Sequence, residues 1–429
     1  MLDLLAVELR KLSRTFRLPF LGVCAVLLWM LAGYAAGLRH RTDLEAFEQS
    51  VSLELERIER VRAADWRSQF IVQFYLPPSR TSLLLDAGAQ YLPDVIAYKL
   101  GEIDRIRYSS SLRYNYALPR FMRLDWSFVL LYVVSFGALT LTFDAVSGER
   151  ERGTLRLLLS YPVRRPLVLL GKFLAVMTAL WVIVLVGTSA SLLIFSETAG
   201  VALEWSDLLA VLIWWLGAVL YLGVFVALGL LFSTVCRNSP QSLYWALAAW
   251  VVLALGVPAA SQLAGEACRP ALRGSEVDRL VEIEAAKQLR EDSKSTSEEP
   301  SRSPSDMRRR IAEMYNQQFR SALGQVQLAE RFSMISPNGL FLSSLVRSLR
   351  GGVDRLSDFV AETSVAVRTF AEVVAEQGIT VPHPLLELRA KWMKTRVSEV
   401  SPWEWFLLAG VAAALLVASA LVLVRSDIE

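Results

Sequence analysis

The chain has 429 residues, 54% of them hydrophobic and only 20% charged, with a formal net charge of +3. So little charge over this length excludes an ordinary soluble multidomain protein, and so small a positive excess excludes a nucleic-acid binder. Three scattered cysteines (Cys24, Cys236 and Cys268) and two histidines far apart (His40 and His383) offer no disulfide framework and no histidine-based catalytic or metal centre.

The first element is "LDLLAVELRKLSRTF" (2–16). Leu2, Leu5, Leu9, Leu12 and Phe16 recur at three- and four-residue steps and form one helical face, while Arg10, Arg14 and Arg17 occupy another. Residues 1–17 are therefore expected to form an amphipathic interface helix, with Arg10, Lys11, Arg14 and Arg17 toward anionic lipid headgroups. A helix packed on a protein partner is the competing reading. Six apolar stretches follow, at 18–38, 126–146, 167–195, 207–232, 241–262 and 403–424. Each reaches the length of about 20 residues that a helix needs to cross a hydrocarbon core about 30 Å thick. Trp126, Trp205, Trp403 and Trp405 stand at span ends, where amphipathic rings favour the headgroup level.

Basic residues accompany the N-terminus, the 147–166 connector and the stretch after the last span, whereas "SETAGVALEWSD" (196–207) has acids and no Lys or Arg. The positive-inside rule then expects both termini and the connector in the cytoplasm, in a cell inner membrane, with 39–125 and 263–402 outside. In 39–125, Leu44, Phe47, Val51, Leu55 and Ile58 keep helical spacing until "LPPSR" (76–80) breaks it. The tyrosine-rich remainder reads as short helices and loops packing on themselves or on headgroups. In 263–402 the polar run 291–306 reads as a flexible loop. A long amphipathic helix carrying Ile311, Tyr315, Phe319, Ala322, Val326 and Ala329 comes next and stops at "SPNG" (336–339). A further helix carries Phe359, Ala366, Phe370 and Val373. Both insertions are read as mainly helical, and the fold class as an all-α membrane protein. Gly187/Ser191 and Gly223/Ala227 have the small-xxx-small spacing of close helix packing.

The connector "SGERERGTLRLLLSYPVRRP" (147–166) is the charged exception between two greasy spans. As a helix, 149–159 places Leu155, Leu158 and Leu159 on one side and Glu149, Arg152 and Arg156 on another. Gly153 interrupts the charged face, and Pro162 and Pro166 bracket the return. Two readings stay open on the residues alone: a hairpin that presents ion-pairing groups to another protein, or a solvated connector whose cations set topology.

The run 124–175 resembles the six-span permease subunits of ABC transporters of the second exporter type. Asp144, Ser147, Gly148, Glu149, Arg150, Glu151, Gly153, Thr154, Leu155, Pro162, Arg164, Gly171 and Lys172 stand where that family carries its ordered motif. The insertions between spans one and two and between spans five and six are similar to those of a subgroup with large extracytoplasmic domains, and "ISPNGLFLSSLVRSLRGGVDRLSDF" (335–359) more loosely resembles a segment of it. The resemblance implies that the hairpin is a coupling helix for a separate ATPase subunit. The coupling site would comprise Ser147, Gly148, Glu149, Arg150, Glu151, Arg152, Gly153, Thr154, Leu155 and Leu158, with Glu149, Arg150, Glu151 and Arg152 supplying polar docking contacts and Leu155 and Leu158 seating the hairpin. It also implies a second permease chain, identical or homologous. ATP and Mg would sit on the ATPase, because this chain has no G-x-x-x-x-G-K-[ST] loop and binds no cofactor of its own.

Two functions follow as expectations. One is export of a hydrophobic or amphipathic cargo, and the other is transmission of force to an extracytoplasmic partner without flux. An ion-coupled carrier is disfavoured, since no Asp, Glu, His or Arg falls well inside a span. A membrane enzyme is disfavoured too, since G-x-S-x-G, H-E-x-x-H and Cys/His clusters are absent.

Overall fold

The computed structural model describes residues 2–62, 71–86, 92–99, 102–109, 124–155, 164–270, 279–280, 282–284, 286–287, 304–377, 391–397 and 402–425. Helix α1 (Leu2–Ser13) leads into α2 (Arg17–Arg62) through a bend. Helices α3 (Trp126–Glu151), α4 (Arg165–Ala199), α5 (Trp205–Val235) and α6 (Ser239–Cys268) follow. After the second insertion, with α7 (Pro304–Ser333), α8 (Pro337–Ser348) and α9 (Gly352–Gln377), the chain closes on α10 (Pro402–Arg425). Six of these, α2 to α6 and α10, are long and apolar enough to cross a membrane, and they cover the six stretches expected from hydropathy.

In lipid, a leucine gains little by facing a neighbouring helix instead of an acyl chain, so close packing and hydrogen bonds hold the bundle. The seam between α2 and α4 shows how. A Cβ on Gly187 would sit 2.3 Å from the Trp29 ring, so only glycine admits that indole. Trp29 donates to the Trp126 carbonyl (3.4 Å), Trp126 donates to Ser191 Oγ (2.7 Å), and Trp214 donates to Ser127 Oγ (3.1 Å). Three large indoles thus fill the interior with every ring N–H satisfied. The Gly187/Ser191 spacing marks the crossing of the first and third spans. A Cβ on Gly223 would meet Ala412 of α10 and Phe173 of α4 at 3.8 Å, an ordinary van der Waals contact.

Helix α8 dips into the bundle. Ser336 caps it, accepting from Gly339 N at 3.1 Å, and Asn338 reaches between three spans. Asn338 Oδ1 accepts from the Tyr221 hydroxyl (2.7 Å), and its Nδ2 donates to the Ala254 carbonyl (3.3 Å). The Tyr221 hydroxyl also lies 3.2 Å from the Leu131 carbonyl. Leu131 and Ala254 belong to the two π-helical turns, Val129–Val134 and Val252–Gly256. A π-turn disturbs the regular carbonyl ladder, and in a bilayer the disturbed groups need partners within the protein. Tyr221 and Asn338 are those partners.

The insertions depart from expectation. Helix α2 does not end with the first span; it runs unbroken for 46 residues, about 69 Å, into the first insertion. Beyond it the all-α reading fails. β1 (Ile71–Tyr75), β2 (Val95–Lys99) and β3 (Glu102–Ser109) form an antiparallel sheet in the order β1-β2-β3. Ile71 pairs with Lys99 and Tyr75 with Val95, and β2 meets β3 with a bulge between Tyr98 and Lys99. Val72, Phe74, Ile96 and Tyr98 are buried. The alternation that makes these strands lasts only five residues in β1 and stands beside Pro77 and Pro78, which hid it behind the broken helical pattern. In the second insertion α7 and α9 form where the helical spacing placed them; the flexible-loop expectation at 291–306 lies almost wholly outside the described residues.

The insertions also join each other and the bundle. The Tyr98 hydroxyl sits 2.7 Å from Thr363 Oγ1 and donates to the Val360 carbonyl on α9. Arg80 pairs with Asp207 (3.1 Å) and Glu204 (3.4 Å) at the start of α5, and Thr395 also bonds Asp207.

A charged hairpin as the candidate functional site

The hairpin grows out of α3. After Thr142 the backbone turns, then recovers one short helix, Ser147–Glu151. The first amides of a helix lack internal partners. Here Ser233 Oγ of α5 accepts from Val146 N (2.9 Å) and Ser147 N (3.1 Å), while the Ser147 hydroxyl donates back to the Phe143 carbonyl (2.9 Å). Gly153 ends the helix with φ +70, the left-handed conformation that favours glycine at this position.

Two charges of the motif grip the turn between α5 and α6. Arg150 donates to the Cys236 (2.8 Å) and Thr234 (3.2 Å) carbonyls, the orphan acceptors at the C-terminal end of α5. Glu151 accepts from both the backbone N and the hydroxyl of Ser239, each at 2.8 Å, acting as a cap for the N-terminus of α6 from outside that helix. Burial holds the Cys236 thiol above its usual range against the pull of nearby Arg150, so this cysteine is a packed thiol and not a thiolate.

The third charge, Glu149, is only 4% exposed. Its Oε1 accepts from Lys11 of α1 (2.5 Å) and from Lys172 of α4 (2.7 Å), and Lys172 also donates to Glu8 of α1 (2.8 Å). Beside this network Arg17 pairs with Asp144 at 2.9 Å and stacks over the Phe143 ring at 4.8 Å. Buried pairs of this kind add little net stability, because desolvation offsets the attraction, but breaking one strands its partner. They fix the register of α1, α3 and α4 relative to one another.

The expected site residues therefore divide. Ser147, Gly148 and Glu149 are buried, and Leu155 is 3% exposed within the bundle's own core, so they hold the hairpin in this chain. Arg150 is likewise turned inward through its guanidinium. Glu151, Arg152, Gly153 and Thr154 are exposed. Leu158, together with Arg156 and Leu159, lies outside the described residues. Of the expected headgroup cations, Arg10 and Arg14 are exposed, whereas Lys11 and Arg17 bind carboxylates of this chain. Sequence reasoning missed Glu8, Ser233 and Ser239. Glu8 stands three residues before Lys11, which suggests a local pair; only the fold brings Lys172 to it. Among the described residues no group of three or more His, Cys, Asp or Glu side chains is placed to hold a metal ion.

The site is a charged elbow bonded to α2, α4, α5 and α6, with a short exposed tip. Comparison with known proteins places the chain in a family. A family model described as "ABC-2 family transporter protein" matches residues 4–425. A probable ABC transporter permease protein NosY from Pseudomonas aeruginosa is 39% identical over 120 residues, 28% of this chain and 43% of that protein. The protein of the same name from Stutzerimonas stutzeri is 52% identical over 50 residues, 12% of this chain and 18% of that one. The chain thus matches less than half the length of either curated relative. The family match runs through nearly the whole sequence, and the protein, a multi-pass membrane permease, belongs to the ABC-2 transporter family.

Proposed function

We propose that this chain is the membrane-spanning subunit of an ATP-driven ABC exporter, in which a separate ATPase subunit docks on the tip of the hairpin. In this reading the hairpin and both termini are cytoplasmic, in the cell inner membrane. ATP and Mg sit on the ATPase, and a second permease chain, identical or homologous, completes the assembly. The observation that carries the reading is the division of the hairpin into an anchored base and an exposed tip. Ser147, Glu149, Arg150 and Leu155 lock the base to the bundle. Glu151, Arg152, Gly153 and Thr154 present a polar edge to a partner. Displacement of the tip by nucleotide-driven closure would then move α3, α4, α5 and α6 together, biasing two packings of the bundle. Glu151 also holds Ser239, so a partner drawing on its carboxylate would loosen the start of α6.

A hydrophobic or amphipathic cargo suits the spans. Well inside them they carry Ser, Thr, Tyr and Trp but no Asp, Glu, His or Arg, and Lys172 near the start of α4 is held by Glu8 and Glu149, so no free ionised group there offers a small ion a counter-charge. A second reading, force relayed to an extracytoplasmic partner without flux, is favoured by one observation: α2 passes unbroken from the bundle into the first insertion, which is bonded through Tyr98 to α9.

The test is a cysteine at Thr154 in a chain whose Cys24, Cys236 and Cys268 are replaced by serine, mapped with a membrane-impermeant thiol reagent on intact cells and on inverted vesicles, together with co-purification of the ATPase. Labelling only in inverted vesicles, and loss of ATPase stimulation once the cysteine is modified, is the expected result. Labelling on intact cells removes the docking role. Flux of a lipophilic probe into reconstituted vesicles separates export from force transmission.

A further inference from the structure

A cavity of about 380 Å³ lies at the hairpin end between α1, the start of α2, the end of α3 and the start of α4. Lys11, Arg17, Arg152 and Lys172 line it, with the carboxylates of Glu8 and Asp144. The acids are already engaged, Glu8 by Lys172 and Asp144 by Arg17. The cations keep donors in hand. Lys11 uses one of its three ammonium protons on Glu149, and Arg17 bonds through Nη1 alone. Arg152 has no carboxylate within salt-bridge distance among the described residues. Lys11 and Arg17 line the cavity and are each about half exposed, at 47% and 46% of their side chains, so both remain accessible from outside.

The remaining wall is mainly apolar, with Leu12, Phe16, Leu141, Ala145 and Val176 beside the single hydroxyl of Thr15. From the mouth an exposed apolar stripe leads away along one face of the chain: Phe16, Phe20, Val23, Leu27 and Leu31, at steps of four and three. Phe16 and Phe20 stack at 5.6 Å at its head. A cationic pocket that opens onto a helical lane of apolar side chains has the two-part chemistry of a phospholipid.

We propose that this cavity binds the phosphate-bearing headgroup of one anionic phospholipid, whose acyl chains lie along the Phe16–Leu31 stripe. The proposal rests on reading this end of the bundle as the membrane boundary, and it goes beyond a diffuse headgroup attraction by naming one seat and the residues that form it. A lipid phosphate there touches α1, the first span and Arg152 of the hairpin at once, and so joins the hairpin tip to the surrounding membrane.

The test is native mass spectrometry of the full chain purified in detergent, with phosphatidylglycerol or phosphatidylcholine added at equal concentration. The expected result is one retained phosphatidylglycerol in preference to phosphatidylcholine, with retention falling about fivefold for Arg152→Gln and further for Arg17→Gln/Arg152→Gln. Arg10→Gln and Arg14→Gln, exposed but outside the cavity, should stay within about twofold of the parent, which is what separates a seat from a general surface charge. Phe20→Ser/Val23→Ser should weaken retention without touching a charge. Equal retention of both lipids, or equal losses for the Arg10 and Arg152 variants, overturns the proposal. So does displacement of the lipid by millimolar glycerol phosphate, which would make this a soluble-phosphate site. Circular dichroism and gel filtration confirm that each variant is folded. Retention is read without an ATPase and without sidedness, so its failure leaves the docking reading standing, and failure of docking leaves this one standing.

Discussion

Replacing Glu149 by Gln tests the anchored base of the hairpin directly. The wild-type carboxylate, 4% exposed, receives two ammonium groups at 2.5 and 2.7 Å. Removing one member of a buried pair costs about 3–5 kcal/mol when the other is left uncompensated. Here compensation is partial. Lys11 has a side chain 47% exposed and can turn to water, and Lys172, only 3% exposed, keeps Glu8 at 2.8 Å. The amide also retains one acceptor. The expected loss is therefore about 2–3 kcal/mol, below the full penalty but far above the roughly 0.5 kcal/mol of a surface change. Lys172→Met should cost a similar amount, because it strands Glu149 with the half-exposed Lys11. The double variant should cost less than the sum, with a coupling energy of about 1–2 kcal/mol. The assay is thermal unfolding of the purified full chain, followed by intrinsic tryptophan fluorescence, over the four members of the cycle. Glu149→Gln within about 0.5 kcal/mol of wild type, or additive single effects, would refute the reasoning. A functional arm follows: a loosened base should lower ATPase stimulation even though Glu149 is too buried to touch a partner.

Three further outcomes are expected. Gly153→Ala forces a side chain into left-handed backbone at φ +70, where nothing crowds a Cβ, so the cost is about 1–2 kcal/mol of local conformational strain. Stimulation of the ATPase should fall, with a smaller drop in unfolding temperature than for Glu149→Gln, and unchanged stimulation would count against the tip. Tyr221→Phe removes the hydroxyl that serves both Asn338 and the Leu131 carbonyl, and should cost about 1 kcal/mol. Hydrogen exchange at 336–339 would report it as faster local opening of α8. In the second insertion, burial pushes the Glu362 carboxyl up, but hydrogen bonds from Arg396, Lys391 and Trp392 outweigh it and hold the group below its usual range. Its contribution to stability is thus complete above the unfolded glutamate value of about 4.3, and is lost as pH falls through the lower folded value. Trp392 fluorescence should be flat from neutral pH down to about 5 and change only below about 4, and Glu362→Gln should abolish that step.

What the residues determined by themselves is the part that depends on local composition. Six runs of apolar side chains cannot be hydrated cheaply, so each becomes a helix that satisfies its own backbone, and hydropathy finds it. Amphipathic spacing likewise placed α1, α7 and α9, and the ordered motif around Gly148 and Gly153 singled out the hairpin. The tertiary structure decided which charge does what. Glu149, Arg150, Glu151 and Arg152 are consecutive and alternate in sign, and nothing local separates a group that anchors from a group that is free to dock. That depends on where α1, α4 and the α5–α6 turn come to rest, through contacts spanning 23 to 138 positions of the chain. The same holds for the sheet, since a strand is stabilised by the partner it pairs with, and Tyr75 meets Val95 only after the chain has folded back. Asn338 is one polar residue after a proline in the sequence; it becomes a link between three spans because two π-turns leave carbonyls that water cannot reach.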